Sequence, residues 1–107
     1  MANGILASES LAATTYTPIY GPPVDTFSVV TINICNKNST AIDIRIAFAQ
    51  DPSIPAAGDY IEYNTQILPN GVLERSGIVI ENGRTIYAYS TSANTDVVVY
   101  GIETATA

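Results

Sequence analysis

Ala41-Ile-Asp-Ile-Arg-Ile-Ala-Phe-Ala49 decides the fold class of this chain. Ile42, Ile44, Ile46 and Phe48 take every second position, with Asp43, Arg45, Ala47 and Ala49 between them. A β-strand sends successive side chains to opposite faces, so the run has one apolar face and one face able to meet water or a partner. Similar runs flank it. Upstream, Thr26–Asn36 is apolar on both sides, with Phe27 and Val29 on one and Val30, Ile32 and Ile34 on the other, the pattern of a central strand packed on its inner face and partly covered on its outer face. Downstream, Thr85–Thr91 sets Ile86 and Ala88 against Tyr87 and Tyr89, and Asp96–Glu103 sets Val97 and Val99 against Val98, Tyr100 and Ile102. No segment holds a helical period.

Turn signals separate these runs. Asn36-Lys-Asn-Ser-Thr40 predicts a tight hairpin into the Ala41 strand, and Glu81-Asn82-Gly83 predicts another, Asn-Gly being a strong short hairpin signal. Pro69-Asn70-Gly71 leads into Val72–Arg75, and Ser76-Gly77 bends the chain before Ile78–Ile80. Tyr60–Asn64 reads as a short strand. Thr14–Tyr20 reads as an edge strand, because Pro18 lacks an N–H, with Tyr16, Pro18 and Tyr20 on one face. Gln50–Gly58, holding Pro52 and Pro55, is the longest irregular connection.

About seven or eight short strands at this spacing predict an all-β fold, an antiparallel two-sheet β-sandwich of jelly-roll or Ig-like type. The Cys…Trp…Cys core of an Ig domain is absent. The expected core is Val30, Ile32, Ile34, Ile42, Ile44, Ile46, Phe48, Val97 and Val99. At 107 residues the chain is one domain, the sandwich spanning 14–103. Residues 1–13 read as an edge strand or as an N-terminal arm that docks on a neighbour, and 104–107 as a C-terminal tail, loose or docked on a partner.

Hydrophobic residues make up 47% of the chain and charged residues 13%. A small soluble monomer carries about 25% charged residues, so part of this surface is expected to lie against a neighbour in a homo-oligomer or larger assembly. Ten acids and four bases give a net charge of −6, and Lys37, Arg45, Arg75 and Arg84 are scattered singly. Such a chain has no basic patch for nucleic acid or for an anionic membrane. Its first residues lack a charged n-region and an apolar run of signal length, which points to folding in a cytoplasm.

The chemistry available is narrow: no His, no Trp and one Cys. Cys35, in an apolar run with no His to activate it, reads as a buried reduced thiol. The acids do not cluster as a catalytic pair, and Asp51, Asp59 and Glu62 beside the long connection read as solvated loop acids rather than a calcium cage. No catalytic residue, metal ligand or cofactor site is expected. Asn38-Ser39-Thr40 matches a glycosylation sequon but reads as a polar turn. The candidates are protein-interface residues instead. Tyr60 and Tyr63 follow the long connection, and Tyr87 and Tyr89 share a strand face, where an amphipathic ring suits an interface, a structural place on the sandwich face or a sugar platform. Asp43 and Arg45 lie two apart on one face, as a solvated pair or one side of an inter-subunit salt bridge. Arg75 and Arg84 complete the set, since Arg is favoured at hot spots.

Four stretches carry a family resemblance: Leu11-Ala-Ala-Thr-Thr-Tyr-Thr-Pro-Ile-Tyr20, Thr31-Ile-Asn-Ile-Cys-Asn-Lys-Asn-Ser39, Asp59-Tyr-Ile-Glu-Tyr-Asn-Thr65 with Leu68-Pro-Asn-Gly-Val-Leu-Glu-Arg-Ser-Gly-Ile-Val79, and Val97-Val-Val-Tyr-Gly-Ile-Glu103. Together they resemble small β-sandwich virion structural proteins of tailed bacteriophages, particularly those of cyanobacteria and other marine bacteria. The resemblance implies a non-enzymatic subunit, made in the host cytoplasm and present in many copies on the virion. Its expected partner is the major capsid protein, which it would bind as a decoration or cement protein, or else another virion protein in the tail, neck or fibre. A sugar- or receptor-binding module using Tyr60, Tyr63 and the Gln50–Gly58 connection is the remaining expectation. The resemblance assigns no site residues.

Overall fold

The computed structural model describes residues 3–50, 55 and 58–106, and eight β-strands account for most of them: β1 Asn3–Leu11, β2 Thr17–Tyr20, β3 Thr26–Asn36, β4 Ile42–Gln50, β5 Tyr60–Ile67, β6 Val72–Glu81, β7 Arg84–Ser90 and β8 Thr95–Ala105. They form two antiparallel sheets of four, ordered β1-β8-β3-β6 and β2-β7-β4-β5. The first strand pairs with the last, β2 with β7, β3 with β6 and β4 with β5. This nested pairing, closed laterally by β3–β8 and β4–β7, is the strand order of a jelly roll. Of the two sandwich types open to the sequence, the jelly roll is the one formed.

The period-2 runs explain the core. On β3 the residues from Thr26 to Asn36 alternate buried and half-buried, and on β4 Ile42, Ile44 and Ile46 face inward. Ile32, Ile34, Ile44, Ile46, Ile86, Val97 and Val99 are wholly buried, joined by Val30, Ile42, Ile67, Ile80, Ala88 and Leu11. Eight of the nine expected core residues are buried, and Phe48 is half-buried against the cluster. Gly101 lets β8 come close to β3: a Cβ there would stand 2.0 Å from the Val29 carbonyl oxygen.

Several local expectations change. Neither Asn36–Thr40 nor Glu81–Gly83 closes a hairpin, because β3 and β4, and likewise β6 and β7, belong to different sheets. Both turns carry the chain across the sandwich, and the consecutive strands that pair are β4 and β5. Tyr20 does not share a face with Tyr16 and Pro18. A register shift between Pro18 and Tyr20 turns the Tyr20 ring inward, where it packs on the core. Its hydroxyl meets Ser28 Oγ at 2.6 Å and donates to Glu103 Oε2 at 2.5 Å, tying β2 to both central strands of the other sheet. Cys35 is half-buried on the outer face rather than enclosed, since it alternates with the inward Ile34 and Asn36. β8 runs on to Ala105, so Thr104 and Ala105 are rungs opposite Phe27 and Thr26 rather than a loose tail. Asp51 and most of the Gln50–Gly58 connection lie outside the described residues.

Asn36 organises one end of the sandwich. It is wholly buried, and its amide donates to the carbonyls of Thr40, Ile67 and Leu68 while its Oδ1 accepts from the Asn38 backbone N–H and side chain. Asn38 passes the link on to the Ala93 carbonyl, so one buried amide and its neighbour join three crossing turns. The side chain of the sequon is thereby taken up in the turn network.

Candidate functional site

The outer face of β2-β7-β4-β5 carries a closed circuit of aromatic rings around one guanidinium. Arg45 points outward from β4 because Ile44 and Ile46 point in. Its register partner on β7 is Tyr89. On the other side β5 bulges: Ile44 faces Thr65 and Ile46 faces Glu62, so Arg45 is opposed by two residues, Tyr63 and Asn64. Asn64 takes a left-handed backbone, φ 52°, at this bulge. The extra residue brings both a ring and an amide to the same arginine.

The resulting geometry is specific. The Arg45 Cζ lies 4.3 Å from the Tyr63 ring centre and 4.7 Å from that of Tyr89, within cation–π range of both. Its Nε donates to Asn64 Oδ1 at 2.8 Å, and Nη1 donates to the Tyr16 hydroxyl at 2.9 Å. Tyr16 packs on Tyr89 with ring centres 4.8 Å apart, and its hydroxyl lies 2.6 Å from that of Tyr60. Tyr60 meets Tyr63 edge-on at 4.9 Å, which closes the circuit. Burial pushes the Tyr16 pKa up, but its bonds with Tyr60 and Arg45 outweigh this and hold it below the ordinary value. The bond with Tyr16, with burial beside it, pushes Tyr60 up to about 12.

The sequence candidates separate into four groups. Arg45, Tyr60, Tyr63 and Tyr89 converge in the circuit. Tyr87 lies on the same face in register with Ala47 and Pro18 but is buried, a cover for the sheet rather than a contact. Arg75 and Arg84 are consumed internally: Arg75 pairs with Glu62 across the open edge of the sandwich, and Arg84 bonds Asp59 Oδ1 at 3.4 Å and the Phe48 carbonyl. Glu62 is desolvated, yet Arg75 and Thr65 hold its carboxyl below the usual range. Asp43 is half-exposed beside Arg45, and no ion pair joins the two among the described residues. Tyr16 and Asn64 complete the circuit without having been singled out. Tyr16 enters only because β2 pairs with β7, and Asn64 only because β5 bulges, neither of which a local pattern encodes.

The opposite outer face, on β1-β8-β3-β6, is apolar. Val29 is flanked in register by Val79 on β6 and Ile102 on β8, which are 65% and 50% exposed. Ile5, 71% exposed, pairs with Tyr100 one rung further along. Acids edge this face at Glu74 and Glu81 on β6 and Asp96 on β8. Hollows of 240 and 400 Å³ meet at Arg84, at the end of the sandwich, and the smaller reaches the circuit only at Tyr60. Among the described residues no three His, Cys, Asp or Glu side chains gather as a metal site. No family model matches the chain, and neither a characterised protein nor a solved structure does.

Proposed function

We propose that this chain is a structural subunit of a tailed-phage virion, a decoration protein that seats on the capsid shell and ties major capsid subunits together. The observation that carries the reading is the row Val79–Val29–Ile102 with Ile5 beside it, large apolar side chains left open on one flat face. Contiguous exposed apolar surface on a small domain marks a contact site, and a charged fraction of 13% leaves few groups to solvate it. The resemblance of four stretches to phage virion proteins supplies the setting. The acids edging the face fit a partner surface whose apolar patch is ringed by Lys or Arg.

Two measurements test this. Quantitative mass spectrometry of purified particles should find the chain at hundreds of copies per virion; a few dozen or fewer would place it in a tail, neck or fibre ring, and absence would end the virion reading. Val79→Lys with Ile102→Lys should melt within a few degrees of wild type, both positions being exposed, yet reduce occupancy on shells by about tenfold or more. Full occupancy of that variant would show that this face is not the attachment surface.

A further inference from the structure

Arg45 is held as a receptor is held. Of the four cations in the chain, Lys37 pairs with Asp96 at 3.0 Å, Arg75 with Glu62 and Arg84 with Asp59. Arg45 has no carboxylate partner among the described residues, in a chain whose acids outnumber its bases ten to four. Its contacts are all neutral: two ring faces, the Asn64 carbonyl oxygen and the Tyr16 hydroxyl. Nε and Nη1 are fixed by these bonds, while Nη2 makes no hydrogen bond among the described residues. An arginine fixed in this way has already lost its side-chain freedom, and the rings beside it limit competing water. Both effects strengthen a charge-assisted bond to an incoming anion.

We propose that Arg45 anchors a carboxylate, an Asp or Glu side chain of a protein partner laid flat on the outer face of β2-β7-β4-β5. The guanidinium has the planar shape that suits a carboxylate. Tyr63, 57% exposed, and Tyr89 give the apolar collar that hot-spot arginines need around them. A protein is the source that fits the shape of the surface. Small ligands are bound in concave sites, and none of the hollows described above is lined by Arg45, Tyr63 or Tyr89. This contact lies on the face opposite the apolar row and goes beyond the attachment proposed above.

The test uses the isolated full chain and named probes, so it stands or falls apart from any result on particles. The side-chain Nε–H resonances of its three arginines are followed by NMR during titration with capped glutamate (N-acetyl-glutamate N-methylamide), with galacturonic acid, and with chloride at matched ionic strength. Capped glutamate should shift Arg45 and the Tyr63 and Tyr89 ring signals saturably, with half-saturation in the range of about 10–100 mM. Arg75 and Arg84, already paired, should stay still. Arg45→Gln should abolish the response, and Arg45→Lys should weaken it at least about threefold by losing the planar fork. Both variants should keep the wild-type melting temperature to within a few degrees, since the side chain lies on an outer face. No saturable shift at Arg45, or an equal one with chloride, overturns the carboxylate anchor. A preference for galacturonic acid of about tenfold or more overturns the protein source and assigns the site to acidic glycans.

Discussion

Asn36 is a polar residue that the fold cannot replace with a hydrophobic one of similar size. Its amide donates to three buried or half-buried carbonyls and its oxygen accepts from Asn38, so its bonds tie the turn after β3 to the end of β5. Asn36→Ala withdraws the amide from these carbonyls, of which that of Leu68 keeps the Gly71 N–H, and takes the acceptor from Asn38; a buried polar group left unpaired costs about 1–3 kcal/mol. The expected loss is roughly 3 kcal/mol or more, read as a lower urea midpoint with unchanged slope. A loss below about 0.5 kcal/mol would mean that water replaces the amide. Asn36 was legible only as a turn residue, because Asn36-Lys-Asn-Ser looks the same in an exposed turn as in a buried hub. Gly101 is similar: its role depends on the Val29 carbonyl, 72 positions earlier in the chain. Ile42, Ile44 and Ile46, by contrast, announce their burial in their own spacing, and Arg45 its exposure by lying between them. Their environment is set by the strand they sit on.

At the scale of elements, the bulges in β2 and β5 decide which side chains meet. One extra residue in β5 gives Arg45 two partners, and the shift in β2 sends Tyr16 outward and Tyr20 inward. Period-2 reading located both strands yet could not see a shift of one residue within them, which reverses every later side chain. The crossing turns escaped for a related reason. Asn82-Gly83 favours a tight reversal whether the next strand lies in the same sheet or the facing one, and only the burial of distant strands chooses. Tyr20 offers a test of the inward turn. Burial and the bond to Glu103 push its hydroxyl from 10.0 to about 12. The folded state therefore prefers the protonated form, and the stabilisation is complete below pH 10 and lost as the pH rises toward 12. The urea midpoint of wild type should exceed that of Tyr20→Phe below pH 10, and the gap should close between pH 10 and about 12. A gap independent of pH over that interval would mean that the Tyr20 hydroxyl reaches water in the folded protein.

For the molecule as a whole, the jelly roll makes its two ends interdependent. The first strand pairs with the last over nearly its full length, from Asn3 opposite Ile102 to Leu11 opposite Thr95. An N-terminal arm that bound only a neighbour would bury nothing in its own domain, whereas Leu11 is 2% exposed in the core and Leu6 and Ala7 pack against it. Closure also protects β8, which between β1 and β3 presents no open backbone. Removing residues 1–11 should therefore do two things. The core loses Leu11, and a buried leucine truncated to a cavity costs about 2–5 kcal/mol before the lost backbone rungs are counted. The bared edge of β8, carrying Val97, Val98 and Val99, becomes a template for pairing with another chain. The urea midpoint should fall, and light scattering should report association that increases with concentration. A truncated chain with the full-length midpoint and a monomeric mass would place β1 outside the cooperative unit. The seven remaining strands would then form a sandwich that needs no closing partner, and the pairing of first strand with last would have no part in its stability.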